Sequence, residues 1–300
     1  MQWNLCTRSR SPRSRAAHDI TFNVRSALIG FTDDERPTRG ARWPRAPSCS
    51  MLAASPAQRS SMSDTKPAAS ADPPKPMPFA IMRNSHEALR ASIRLQEQKL
   101  EAAERAAFGE EWRTFRRALA VHMAMEDGAM FGLLDEVGAG AITSAKLPAE
   151  HVEDSRLAAA VDAALEGADA SALRAAWSVW KEDHLHHLAH EEEVMMPLTM
   201  KTAATPEARA RVVHDRLLGP GESLPNFDWY IGWVVSMLSQ HGSAAQPANV
   251  ATRVFAWGLQ HACSPSQWNR LRPIVRSNCP PAIWDELTSK FGLNGDGPIV

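Results

Sequence analysis

The 300-residue chain is poor in cysteine, with four, and nearly devoid of tyrosine, with one. Cys6 and Cys49 sit near the start and Cys263 and Cys279 near the end, with no C-x-x-C pair among them. This excludes a disulfide framework and a zinc ribbon, and it fits free thiols in a reducing, cytoplasmic setting. A lone tyrosine among 21 prolines does not point to a rich sheet. No apolar run approaches the roughly 18–20 residues of a bilayer span, so no membrane span is expected. Net charge is also nearly absent, with 33 basic against 34 acidic residues.

That balance hides an asymmetry. Residues 1–61 carry ten arginines, no lysine and four acids, which leaves 23 basic against 30 acidic residues for the rest. The acidic remainder excludes nucleic acid as its partner. Residues 1–77 show no sustained period and are rich in Arg, Ser, Ala and Pro, so a disordered leader is expected. An organellar targeting segment would suit the arginines but not the four acids, and no apolar core precedes a small-residue cleavage site. Met62 opens MSDTKPAASADPPKPMP, which reads as an ordinary amino terminus, so residues 1–61 are expected to be an upstream extension of the reading frame.

From Pro78 onward the apolar residues recur at helical spacing. One face carries Met82, His86, Leu89, Ile93 and Leu100, and a second segment over about 110–137 carries Trp112, Phe115, Leu119, His122, Glu126, Met130 and Leu133. GAGAITSAKLP is a connector, Pro148 suits the first turn of a third helix, and a fourth runs over about 172–200. The expected fold is all-α: an up-down-up-down four-helix bundle over residues 78–202, with a helical C-terminal region over 205–300.

The bundle segment is a duplication. His86 to His122 spans 36 positions, as does His151 to His187, and Glu126 and Glu191 each follow the second histidine by four. The offset of 65 extends to Trp112 and Trp177, Phe115 and Trp180, Met130 and Met195, and Leu133 and Leu198. Residues at i and i+4 share a helix face, so each copy aims an imidazole and a carboxylate at one place and its partner helix adds another imidazole. Four imidazoles and two carboxylates suit iron, zinc or manganese rather than calcium. Carboxylates that bridge can hold two ions about 3.5–4 Å apart with coordination positions left open.

This set, His86, then His122 and Glu126 in HMAMEDGAMF, then His151, then His187 and Glu191 in HLAHEEEVMMP, resembles the hemerythrin family in its broad HHE cation-binding form. The resemblance covers about residues 80–200. It implies two non-heme iron ions joined by an oxo or hydroxo bridge, with Glu126 and Glu191 bridging, His86, His122, His151 and His187 as terminal ligands, and oxygen or another small diatomic as the bound partner. Oxygen carriers of the family have a further histidine where this chain has Ser155, so one iron lacks a donor, as in sensor-like members. Asp154, a water or His184 is a candidate for that place. Ferritin-like centres use Glu-x-x-His instead, so oxidation of stored iron is not expected.

Three functions compete at this stage: binding or sensing of oxygen, a diatomic or iron status; a di-iron enzyme acting on peroxide or nitric oxide; and a regulatory protein built on structural zinc. His184 is expected to be an exposed polar residue, His186 and His190 to be solvated or to support the ligands from behind, and Glu192 and Glu193 to form an acidic surface. His214, His241 and His261 have no partner at metal spacing. The C-terminal segments, with Trp229, Trp233, Trp257, Trp268 and Trp284 as anchors, are expected to cap the bundle. The stretch WYIGWVVSML offers the alternative of a homodimer or partner surface.

Overall fold

The structure, a computed structural model, describes residues 80–242 and 247–293. The leader, with Cys6, Cys49 and the disorder expected of residues 1–77, lies outside the described residues. Among the described residues every regular element is helical. The first hairpin pairs α1 (Ala80–Glu101) with α2 (Arg105–Met125), which continues through a π-helical turn (Glu126–Met130) into α3 (Phe131–Val137). The short α4 (Ala141–Ala145) crosses the connector to a second hairpin of α5 (Leu147–Glu166) and α6 (Ala170–Lys201). Beyond it come α7 (Pro206–Val213), a second π turn (His214–Leu218), α8 (Gly219–Gly221), α9 (Phe227–His241), α10 (Ala248–Ala262), α11 (Pro265–Asn278) and α12 (Pro281–Phe291).

Local chemistry sets these boundaries. Asp169 caps α6 by accepting from the amides of Ser171 and Ala172, and Thr205 caps α7. Ser264 and Gln267 form a reciprocal capping box at α11, and prolines open α5, α7, α11 and α12. The turn between α1 and α2 falls earlier than expected, at residues 102–104, because Ala103 takes the left-handed conformation at φ 58°. Glycine is the usual occupant of such a position, so no breaker announces this turn.

Two arginines tie the hairpins together. Arg105, at the start of α2, donates to the carbonyls of Ala164, Leu165 and Gly167 at the end of α5. Arg174, early in α6, donates to the Leu100 carbonyl at the end of α1. Both hairpin turns therefore lie at one end, and His86, His122, His151 and His187 lie toward the other. An aromatic cluster of Phe108, Trp112, Phe115, Trp177 and Trp180 fills the space between α2 and α6, with Trp112 and Trp180 edge to face at 4.7 Å. Its buried indole N–H groups find acceptors on the other two long helices: Trp112 on Asp162, Trp177 on Gln96 and Trp180 on Asp154.

The π turn inserts an extra residue and shifts the register after it. Beyond it Leu134 is fully buried, whereas the expected Leu133 is only partly so. A larger correction concerns α9. It packs against α1, α10 and α11, and Tyr230, Ile231, Trp233, Val234, Val235 and Leu238 are all buried within the chain. WYIGWVVSML is thus core rather than an exposed partner surface. The approach of α11 is close, because a Cβ at Gly232 would meet Asn278 at 2.8 Å. Trp268 and Trp284 are buried here too, as are the free thiols Cys263 and Cys279.

Candidate metal centre

All six residues singled out by the duplication converge. His86 comes from α1, His122 from the last turn of α2, Glu126 from the start of the π turn, His151 from the first turns of α5, and His187 and Glu191 from α6. All six are buried, and both glutamates have no exposed surface. Glu126 Oε1 lies 3.4 Å from His122 Nε2 and 3.7 Å from His86 Nε2, and Oε2 lies 3.6 Å from His151 Nε2. Glu191 Oε1 lies 3.4 Å from both His151 Nε2 and His187 Nε2, and Oε2 lies 3.5 Å from His86 Nε2. Each carboxylate therefore faces imidazoles from both hairpins.

These separations are long for hydrogen bonds. Among the described residues, no hydrogen bond satisfies any of the four carboxylate oxygens or the Nε2 atoms of His122 and His151. Burying such groups unsatisfied would be costly. Two donors held about 2.0–2.2 Å from one ion, at 90–110° to each other, lie about 2.8–3.6 Å apart, which matches the observed spacing. The atoms group into two sets, His86, His122, Glu126 and Glu191 in one and His151, His187 and Glu191 in the other. The cluster fits a metal site.

The opposite ring nitrogens are also engaged. His86 Nδ1 meets Glu192 at 3.0 Å, His151 Nδ1 meets Asp127 at 2.9 Å and His187 Nδ1 meets Glu150 at 2.9 Å. Such contacts turn Nε2 toward the centre and fix the tautomer that presents its lone pair. The duplication extends to them, since Asp127 and Glu192 follow Glu126 and Glu191 by one residue and each supports the other hairpin's lone histidine. Sequence reasoning missed this layer and assigned Glu192 to a solvated surface, although the acid repeated after each glutamate was a signal for it. Arg90 also binds Glu192, at 2.7 Å, and His190 shares Glu150 with His187. His122 is the exception: its Nδ1 meets the hydroxyl of Tyr230, from α9, at 3.3 Å.

His184 corrects a second expectation. It is fully buried, not exposed; its Nδ1 lies 2.9 Å from Asp154, and its ring stacks on Trp180. Its Nε2 and Asp154 Oδ2 have no hydrogen-bond partner among the described residues, and its ring centroid lies 6.1 Å from that of His187. Neither belongs to the two donor sets. Ser155 is exposed, while Asp154 turns inward. His186 is exposed, as expected.

In the metal-free chain protons take up the negative charge of this cluster. Burial pulls the His86 pKa down, but Glu126, Glu192 and Glu191 outweigh it and raise it to about 9. Burial likewise opposes, and Asp127, Glu191 and Glu126 overcome it, at His151, which rises to about 10. His122 is pushed well below its ordinary value by burial and by the surrounding histidines. Burial and the charge of Glu191 lift Glu126 to about 7, whereas His151, His187 and His86 hold Glu191 low despite its burial. Perturbation of this kind concentrates where charged groups are gathered for function.

Residues 77–199 match the family model described as Hemerythrin HHE cation binding domain. No curated protein and no solved structure matches the chain. The matched span contains all six clustered residues and both hairpins but ends before α7. Residues 77–199 are a hemerythrin HHE cation-binding domain.

Proposed function

We propose that the protein holds two non-heme iron ions and binds or senses oxygen or another small diatomic. In this reading residues 78–202 are the up-down-up-down bundle, Glu126 and Glu191 bridge the ions, and His86, His122, His151 and His187 are terminal ligands. The observation that carries it is the buried pair of carboxylates whose four oxygens, without a hydrogen bond among the described residues, lie 3.4–3.7 Å from imidazole nitrogens of both hairpins. When bound, iron supplies reversible redox chemistry and coordination positions for an external ligand. The chain supplies neutral imidazoles oriented by Glu192, Asp127 and Glu150, and a dry setting in which those contacts are strong.

With both carboxylates bridging, each ion would take two imidazoles and two carboxylates, His86 and His122 on one side and His151 and His187 on the other, and would keep positions for an external ligand. His184, fixed by Asp154 one turn before His187, is the polar side chain suited to face that ligand. The test is anaerobic loading with ferrous iron, a count of metal per chain, and admission of oxygen while the near-ultraviolet and visible spectrum is recorded. Two irons and new ferric charge-transfer bands are expected, and His122→Ala and Glu191→Ala should each diminish them. Variants that kept two irons and an unchanged spectrum would refute the ligand assignment.

A further inference from the structure

The duplication is broken at one point. In the second copy the residue just before the lone histidine, Glu150, reaches across to His187 Nδ1 at 2.9 Å. Its counterpart in the first copy, 65 positions earlier and just before His86, is Ser85, which is too short to reach His122 in the same way. Ser85 turns back to donate to the Ile81 carbonyl. His122 Nδ1 instead meets the hydroxyl of Tyr230, on α9, outside the HHE domain. Tyr230 is the single tyrosine of the chain and has almost no exposed surface. Its ring lies against Trp233, and Ser85 flanks its hydroxyl. A tyrosine buried for packing alone would be as well served by phenylalanine, and would leave no hydroxyl to satisfy.

We infer that Tyr230 is a positioning residue of the metal centre, through which the C-terminal helices complete the support of His122 and respond to the ion it holds. The inference rests on the proposed metal binding. With Nε2 on a metal, Nδ1 of His122 carries the hydrogen and donates to the phenol oxygen, whose own hydrogen is directed to another acceptor such as Ser85. Metal binding then favours the state in which α9 is docked, and docking of α9 favours metal binding by the same factor, because the coupling is reciprocal. Glu150 makes the corresponding contact to His187 within the bundle, so among the described residues the support of His187 does not pass through α9.

The test uses the full chain and ferrous iron in competition with a chelator, with Tyr230→Phe, Ser85→Ala and Glu150→Gln beside the wild type, and amide hydrogen exchange recorded over α9. Loss of an outer contact of this kind typically weakens metal binding about 10–100-fold. Tyr230→Phe and Glu150→Gln should each weaken one of two irons on that scale, and Ser85→Ala should weaken it less. Iron should slow exchange in α9 in the wild type and in Glu150→Gln but not in Tyr230→Phe. Two irons bound by Tyr230→Phe with unchanged affinity, and α9 protected as in the wild type, would overturn the coupling alone. A wild-type chain that takes up no iron would overturn the metal reading and the coupling with it.

Discussion

The two hairpins descend from one pattern and have diverged where they support the metal ligands. Both place a histidine in the first helix and a His-x3-Glu pair in the second, and both follow the glutamate with an acid that braces the other hairpin. The first hairpin then opens a π turn at Glu126 and relies on Tyr230 from outside the domain. The second keeps α6 unbroken through Glu191, supplies its own Glu150, and adds the buried His184–Asp154 pair. The clustered histidines and glutamates are shared while their surroundings are not, so in the proposed two-ion centre the two positions would be chemically distinct: one beside Tyr230 of the C-terminal helices and the other beside an extra polar pair.

The largest expected effect comes from removing what the two halves share. Glu126→Ala or Glu191→Ala should cost more metal than any single histidine change, because each carboxylate faces imidazoles of both hairpins. Metal analysis after loading and desalting should find fewer than one ion per chain in either variant. Two ions retained would mean that the halves bind independently.

Next comes proton release. In the metal-free chain His86 and His151 titrate at about 9 and about 10, above the ordinary 6.5, so both carry protons at neutral pH. Raised values of this kind stabilise the metal-free fold fully below the ordinary value, and that contribution is lost as pH rises through about 9 to 10. A metal must displace these protons. Calorimetric titration with ferrous iron near pH 7.5, in buffers of different ionisation heat, should therefore report proton release. Heats independent of buffer would contradict the pairing of these histidines with the carboxylates.

A smaller effect separates the outer acids. Asp127→Asn and Glu192→Gln should weaken iron binding to similar extents, about 10–100-fold, because they occupy equivalent places in the two copies. A large effect at one and none at the other would break the symmetry that places them in pairs. The smallest effect is at Trp180→Phe, which removes the indole N–H that Asp154 accepts at 3.0 Å. Stability should fall by a few kcal/mol at most, from the lost hydrogen bond and reduced packing, with two irons still bound. Thermal unfolding and a metal count on the same sample check it.

The convergence of the four histidines and two glutamates was legible because its signal is arithmetic: one offset repeated across six residues of the right chemistry needs no knowledge of packing. The surrounding layer was less so. Glu192 read as surface because three consecutive glutamates usually face water, and His184 because, unlike His187, it has no histidine counterpart 65 residues earlier, where Leu119 stands. Tyr230 could not be connected to His122 at all, since 108 residues separate them and no periodicity links them. The π turn that exchanges Leu133 for Leu134 has no residue signature, and neither has the turn at Ala103. The C-terminal helix starts at Ser264 and Pro281 were readable from capping chemistry, but the partner of each apolar face was not, so WYIGWVVSML could be read equally as interior or as interface.

The most direct test of the central claim is iron K-edge X-ray absorption on the anaerobically loaded chain, with the metal content measured on the same sample. Two irons per chain, nitrogen and oxygen ligation with imidazole scattering, and a metal–metal vector under about 4 Å are expected. A single isolated iron, or two irons with no metal–metal vector, would show that the six converging side chains do not share a pair of cations.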